Sequence, residues 1–271
     1  MSEPLLIIYS HSSFLDIIYI TTDLLKSYKN KILLTDENFD KDDEYKNHYV
    51  NILKYKNKDT YATRLHLLEQ VTEDYFIIMH EVDLLIKYNS VILHKMIEYM
   101  IENDVDNIEL QHCAPPYHIS KRQFHLHNPV INCKDICDIY KKDNIDMLAK
   151  GYNIFNVNPN IWKKSSLIKL MKKHYHLDYR TIEPNVPLAK DMANMNSYSL
   201  LVKNPINCGH FMCDEFFLPL HILRHGKIFD PRPMHTWGVE LNKEVYKIYN
   251  KILNKYFIGK SKRRMIVGFP G

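Results

Sequence analysis

The residues of this chain best placed to do chemistry are two acids, Glu81 and Asp83, which follow the apolar run Tyr75-Phe76-Ile77-Ile78-Met79. A short apolar run that stops at polar residues reads as a strand buried on both faces, as in a parallel sheet. Side chains alternate along a strand, so the spacing predicts that Glu81 and Asp83 point the same way. They fall at the carboxyl end of the strand, where open α/β sheets bind their ligands. Two hard oxygen donors on one side suit Mg²⁺ or Mn²⁺ held together with substrate phosphates. An acid-x-acid pair also arises wherever a strand exits into a polar turn, so its meaning depends on the elements around it.

Those elements alternate. Residues 5–9 read as a first strand, followed by a helix with Phe14, Ile17, Ile18, Thr21, Leu24, Leu25 and Tyr28 at helical spacing. Residues 31–36 read as a second strand, 49–54 as a third, and Asp59 as the cap of a helix carrying Leu65, Leu68 and Val71. After the acidic pair come a helix from Ser90 and a short strand at 107–111. Strand–helix alternation of this kind predicts a doubly wound α/β core. The second half is less regular. Residues 152–158 read as a strand, a helix then carries Ile161, Trp162, Leu167, Ile168 and Met171, residues 179–182 read as a short strand, and 214–223 as a helix. A helix over 243–256 and a basic tail at 260–264 close the chain.

Composition narrows the classes. The chain has 271 residues, a net charge of +4 and 25% charged side chains, an ordinary balance without the basic stripe of a nucleic-acid binder. No apolar run approaches a membrane span, and the start has neither a basic region nor a small-residue cleavage site. The five cysteines are odd in number and scattered, which fits reduced thiols and a cytoplasmic setting. Cys133 and Cys137 lack a second close pair, so no zinc site is expected.

The whole pattern resembles a GT-A glycosyltransferase. The likeness lies in the alternating first half, its closing apolar strand with Glu81-Val82-Asp83 in place of the usual Asp-x-Asp, the approach from Arg64 through Thr72-Glu73-Asp74, and the later Phe155-Asn156-Val157-Asn158-Pro159-Asn160-Ile161-Trp162. The bias towards Lys, Asn, Ile and Tyr is similar to that of glycosyltransferases of large DNA viruses, which would place the protein in a viral factory or virion. The resemblance implies a single α/β domain with a Rossmann-like mixed sheet flanked by helices. Residues 1–112 would bind a nucleotide-sugar donor, 113–240 a glycan, protein or lipid acceptor, and 241–271 would form a terminal helix and tail. It implies transfer of a sugar from a nucleotide-diphosphate sugar, UDP-sugars first among them, to a hydroxyl, with Mn²⁺ or Mg²⁺ as cofactor.

Roles follow from that resemblance. Asp83 would bind the metal directly, and Glu81 through water or at the ribose. Tyr9, Ser10 and His11 would meet the base or ribose, Asp36 the base, and Arg64 a phosphate. Asp36 can equally close a turn, and Arg64 can lie on the outer face of its helix. His235 is the candidate third ligand, with His210 and His225 as rivals. Glu183, Asp214 and Glu215 are the candidate bases, with Asp191 behind them. Trp162 and Trp237 can stack on sugar or fill core, and Lys262-Arg263-Arg264 can cover a diphosphate or lie in solvent. A metal-dependent phosphohydrolase or nucleotidyltransferase, or a non-catalytic nucleotide-sugar binder, would use the same pair. The sequence sets no oligomeric state.

Overall fold

The computed structural model describes residues 3–110, 130–133, 137–141, 155–200, 206–208, 212–224, 226–230, 235–236, 239–258, 263 and 265–267. Its strands are β1 (Leu6–Tyr9), β2 (Lys31–Asp36), β3 (Asn51–Tyr55), β4 (Tyr75–His80), β5 (Asp83–Tyr88), β6 (Asn107–Glu109), β7 (Val130–Cys133), β8 (Cys137–Lys141), β9 (Asn160–Lys163), β10 (Ser197–Leu200), β11 (Ile206–Asn207), β12 (Met212–Cys213), β13 (Phe217–His221), β14 (Leu223–Arg224), β15 (Lys227–Asp230), β16 (His235–Thr236), β17 (Val239–Glu240) and β18 (Met265–Val267). The helices are α1 (Leu15–Leu24), α2 (Asp42–Tyr45), α3 (Tyr61–Leu65), α4 (Ser90–Glu102), α5 (Lys164–Lys173), α6 (Tyr179–Ile182), α7 (Val186–Met192) and α8 (Lys243–Ile252).

Nine strands form one sheet in the order β3-β2-β1-β4-β9-β6-β10-β8-β7. The first four run parallel, β9 runs antiparallel between β4 and β6, and β10 returns parallel to β6. The architecture is therefore the expected α/β one, a mixed sheet flanked by helices. Its apolar strands are buried on both faces, as their near-continuous hydrophobic runs require. Phe76 and Ile78 join one core with Leu5, Ile7 and Trp162, beneath α3, α5 and α7. Ile77 and Met79 join the other with Leu6, Ile8 and Leu33, beneath α1 and α4. Trp162 is thus a core residue. A third core packs the outer side of α1, at Ile17 and Ile20, against β13, β15 and α8. Among the described residues no helix is long and apolar enough to cross a membrane.

Five expectations of local structure fail. Ile161 and Trp162 belong to β9, and the helix starts only at Lys164. The strand read at 152–158 lies partly outside the described residues, and residues 156–158 are not in a strand. Residues 179–182 form a helical turn, α6, because Asp178 and Thr181 close a capping box around it. The stretch 214–223 holds β13, which pairs with β5. Its Pro219 sits where the register slips between Leu218 and Pro219, the kind of irregular position that tolerates a missing donor. Asp59 does not cap α3; the neighbouring Thr60 does, accepting from the Thr63 amide.

Because β4 has no solvent face, Ile77→Ala and Ile78→Ala should each destabilise the protein by about 2–4 kcal/mol. Urea unfolding of the two variants checks this; a loss at only one of them would mean that one face of β4 is open.

Candidate functional site

The carboxyl ends of β1, β2 and β4 lie side by side, Tyr9 between Leu34 and His80. The amide of Glu81 continues the ladder by donating to the Tyr9 carbonyl at 3.0 Å. There the chain leaves the sheet. Glu81 and Val82 make a turn, and Asp83 opens β5, which pairs with β13 and not with the sheet. The two acids therefore do not share a strand, and alternation does not bring them together. The turn does, closely enough for the charge of Asp83 to act on Glu81.

Their environments differ. Asp83 is buried and accepts a hydrogen bond from His221 Nδ1 at 2.9 Å, its direct cross-strand partner. Glu81 is also buried, and its Oε2 has no hydrogen-bond partner among the described residues. Burial first, then Asp83, raises its carboxyl to about 8, against the opposing pull of its own backbone amide and Arg263. A buried acceptor left unpaired is costly unless something binds it. Among the described residues no three His, Cys, Asp or Glu side chains are grouped to hold a metal. Two carboxylates with remaining positions left to ligand oxygens is the ordinary arrangement for Mg²⁺ beside phosphates, so the donor set fits a hard divalent cation completed by substrate.

Below the pair lies an aromatic cluster. His80 is fully buried and pushed down to about 3 by burial, so it is neutral, with Nε2 against the Tyr61 hydroxyl at 2.8 Å. Tyr9 stacks on Tyr55 at 5.6 Å and 9°, and meets Tyr61 and His80. Arg64 donates to the Tyr9 hydroxyl at 2.9 Å and to the Asp59 carbonyl at 2.8 Å, and lies over the Tyr55 ring at 4.5 Å. Its guanidinium thus braces the stack from α3.

The loop after β1 is held by Asp36, whose carboxylate accepts from the Ser12 amide at 2.5 Å and the Ser12 hydroxyl at 2.8 Å. Burial opposes its charge, but the Ser12 bonds and nearby His11 outweigh it and hold the carboxyl below its ordinary value. Asp36 therefore closes the loop that presents His11, which is partly exposed, and Ser10, whose buried Oγ is unpaired among the described residues.

Across the sheet edge, Asn107, Asn160, Asn156 and Glu109 form a chain of side-chain hydrogen bonds beside the end of β4. The following backbone carries the amide of Val157, which donates to Glu183 Oε1 at 3.0 Å. Glu183 ends α6, and the hydroxyls of Tyr61 and Tyr179 feel both Glu183 and Glu81. Of the candidate bases, Glu183 alone shares the neighbouring Tyr61 and Tyr179 hydroxyls with Glu81. Asp214 and Glu215 precede β13 at the far end of the ribbon, where Phe217 meets Tyr88, while Asp83 meets His221. At about 3.3 Å per residue that is some 15 Å away. Asp214 caps the Phe216 amide, and Glu215 lies 4.0 Å from Lys87. Asp191 is tied to Lys173 and His174.

His235 lies in the separate β16–β17 hairpin, and its side chain is outside the described ones, as are His210, His225 and Trp237 altogether. Two contributors went unread in the sequence. His221 was hidden because its partner is 138 positions away. Tyr179 was read only as part of a strand. Arg263, from the basic tail, is not in solvent. It forks onto Asp16 at 2.7 Å through Nε and again through NH2, donates to the Ser13 and Gly226 carbonyls, and covers the Phe14 ring. Gly226 adopts φ +73°, a left-handed turn that suits glycine. Lys262 and Arg264 lie outside the described residues.

No protein-family profile matches the chain, and no curated protein matches it. Several solved structures are similar to it. TarS from S. aureus in complex with UDP-GlcNAc is 12% identical, with 72% of this chain and 55% of that chain covered and a TM-score of 0.41. The mannosyltransferase PcManGT from Pyrobaculum calidifontis, in complex with GDP-Man and Mn²⁺, is 8% identical, with 83% and 59% covered and a TM-score of 0.43. A cytidylyltransferase from Leptospira borgpetersenii is 13% identical, with 74% and 77% covered and a TM-score of 0.40. The chain spans little more than half the length of the TarS and PcManGT structures it matches.

The raised carboxyl of Glu81 sets a pH signature. Between its ordinary 4.5 and about 8 the folded protein holds a proton that the unfolded chain releases. The stabilisation from this group is therefore complete below 4.5 and lost as pH rises through 8. Glu81→Gln should melt near wild type at pH 5 and above it at pH 8.5. Equal melting temperatures at both pH values would show that Glu81 is ionised throughout.

Proposed function

We propose that the protein is a cation-assisted glycosyltransferase that moves a sugar from a nucleotide-diphosphate donor, a UDP-sugar in the first instance, to a hydroxyl acceptor. The observation that carries this is Glu81, buried next to Asp83 at the ends of β1 and β4, with a carboxyl oxygen unpaired among the described residues. One domain would serve both substrates. The donor's nucleoside lies over the ends of β1 and β2, against His11, Ser10 and the Tyr9 stack that Arg64 braces. Glu81 and Asp83 hold a Mg²⁺ or Mn²⁺, which when bound offsets charge on the leaving diphosphate. His221 fixes the orientation of Asp83, as partners behind a ligating carboxylate do.

Glu183 is the base. Its backbone-anchored carboxylate takes the proton from the acceptor hydroxyl as that oxygen bonds to the sugar's anomeric carbon. The bond from that carbon to the diphosphate breaks and its electron pair leaves on the diphosphate oxygen, an inverting transfer. The protein would work inside the cell, where its thiols stay reduced.

Thermal shift with UDP-, GDP- and CMP-sugars, with and without Mn²⁺, tests the reading. Stabilisation by one nucleotide should require the cation and vanish in Asp83→Asn. A folded protein indifferent to every nucleotide sinks the proposal. Glu183→Gln should keep donor binding and lower transfer by about 10²–10⁴-fold. Because Glu81 must lose its proton to ligate, cation affinity should fall by up to about tenfold for each pH unit below 8. Calorimetric titration with Mg²⁺ at pH 6, 7 and 8 reads this, and a flat profile removes Glu81 from the ligand set.

A further inference from the structure

The geometry points to Tyr179 as the stacking platform of the acceptor subsite, with a pyranose ring as the group that lies on it. The inference rests on the sugar-transfer reading above and names the acceptor's chemical class. Tyr179 is 40% exposed, yet it is not a loose surface side chain. Its ring meets Tyr61 edge-on at 5.6 Å and 75°, and His80 at 5.5 Å and 47°. Both of those rings are buried and hydrogen-bonded to each other. The capping box of Asp178 and Thr181 fixes the helical turn that carries it. The platform is therefore rigid before anything binds, and binding orders little.

Its neighbours supply the other half of the recognition. Tyr179 and Glu183 are i, i+4 across α6 and its end, so they share a face. The charges of Glu81, Glu183 and Asp83 all reach the Tyr179 hydroxyl, which has no hydrogen-bond partner among the described residues. A flat apolar face bordered by the Glu183 carboxylate matches a pyranose, which has a C–H face and a rim of hydroxyl donors. A serine or threonine side chain or a lipid alcohol has no such face. With the acceptor ring on Tyr179, one of its hydroxyls meets Glu183, the base proposed for the transfer.

Saturation-transfer NMR tests this with methyl α- and β-pyranosides of glucose, galactose, mannose and N-acetylglucosamine. The protein carries Mg²⁺ and whichever of UDP, GDP or CMP shifts its melting temperature. Ring C–H protons of at least one glycoside should take up saturation. Affinity for it should drop about tenfold in Tyr179→Ala and Tyr179→Leu and be kept in Tyr179→Phe and Tyr179→Trp. The nucleotide-induced thermal shift, unchanged in all four variants, shows that each is folded. Wild-type protein that binds nucleotide but gives no glycoside signal overturns the inference alone, as does a signal unaffected in both Tyr179→Ala and Tyr179→Leu. Wild-type protein that binds no nucleotide overturns the sugar-transfer reading and this inference together.

Discussion

The hydrogen bond from the Glu81 amide to the Tyr9 carbonyl is the last rung of the ladder between β1 and β4, and the site depends on it. Up to that rung the backbone is fixed by a sheet buried on both faces. Beyond it the chain turns out of the sheet and pairs with β13. The rung therefore sets where a buried carboxyl, an aromatic cluster and a second strand system meet. A shift of one residue in the β1–β4 register would put Glu81 in place of His80 among the aromatic rings.

The chemistry of the site follows from contrasts in solvation. Asp83 has a partner in His221, and among the described residues Glu81 has none for Oε2. His80 next to it is neutral, so it neither compensates the carboxyl nor competes for it. Tyr9, Tyr61 and Tyr179 all lie within reach of the Glu81 charge, and their rings pack on one another and on His80.

Much of the first half was legible because its strands are single apolar runs: residues 5–9, 31–36 and 75–79 each lie where a strand was expected. Glu81 and Asp83 were visible as a pair, but the reason given for their proximity, alternation along one strand, was not the one the fold uses. The second half was harder for definable reasons. Ile161, Trp162, Leu167 and Ile168 fit helical spacing although the first two lie in β9, because a strand buried on both faces has no period of its own. Phe216, Phe217, Leu220 and Leu223 misled in the same way. Glu183 could be listed beside Asp214 and Glu215 but not separated from them, since only the pairing of β5 with β13 sends those two to the opposite end. His221 and Arg263 find their partners across 138 and 247 positions, separations no local pattern encodes.

The Arg263 contact has a kinetic consequence. Its side chain closes the loop after β1 through the Ser13 carbonyl and Asp16, across nearly the full length of the sequence. Contacts of such long range form late, because the chain between them must first be ordered. The parallel sheet can assemble without it, since none of β1, β2 or β4 pairs with the tail strand β18. Closure of the loop after β1 therefore waits on the tail, and its opening need not disturb the sheet, which makes it a local unfolding unit on a scaffold that stays intact.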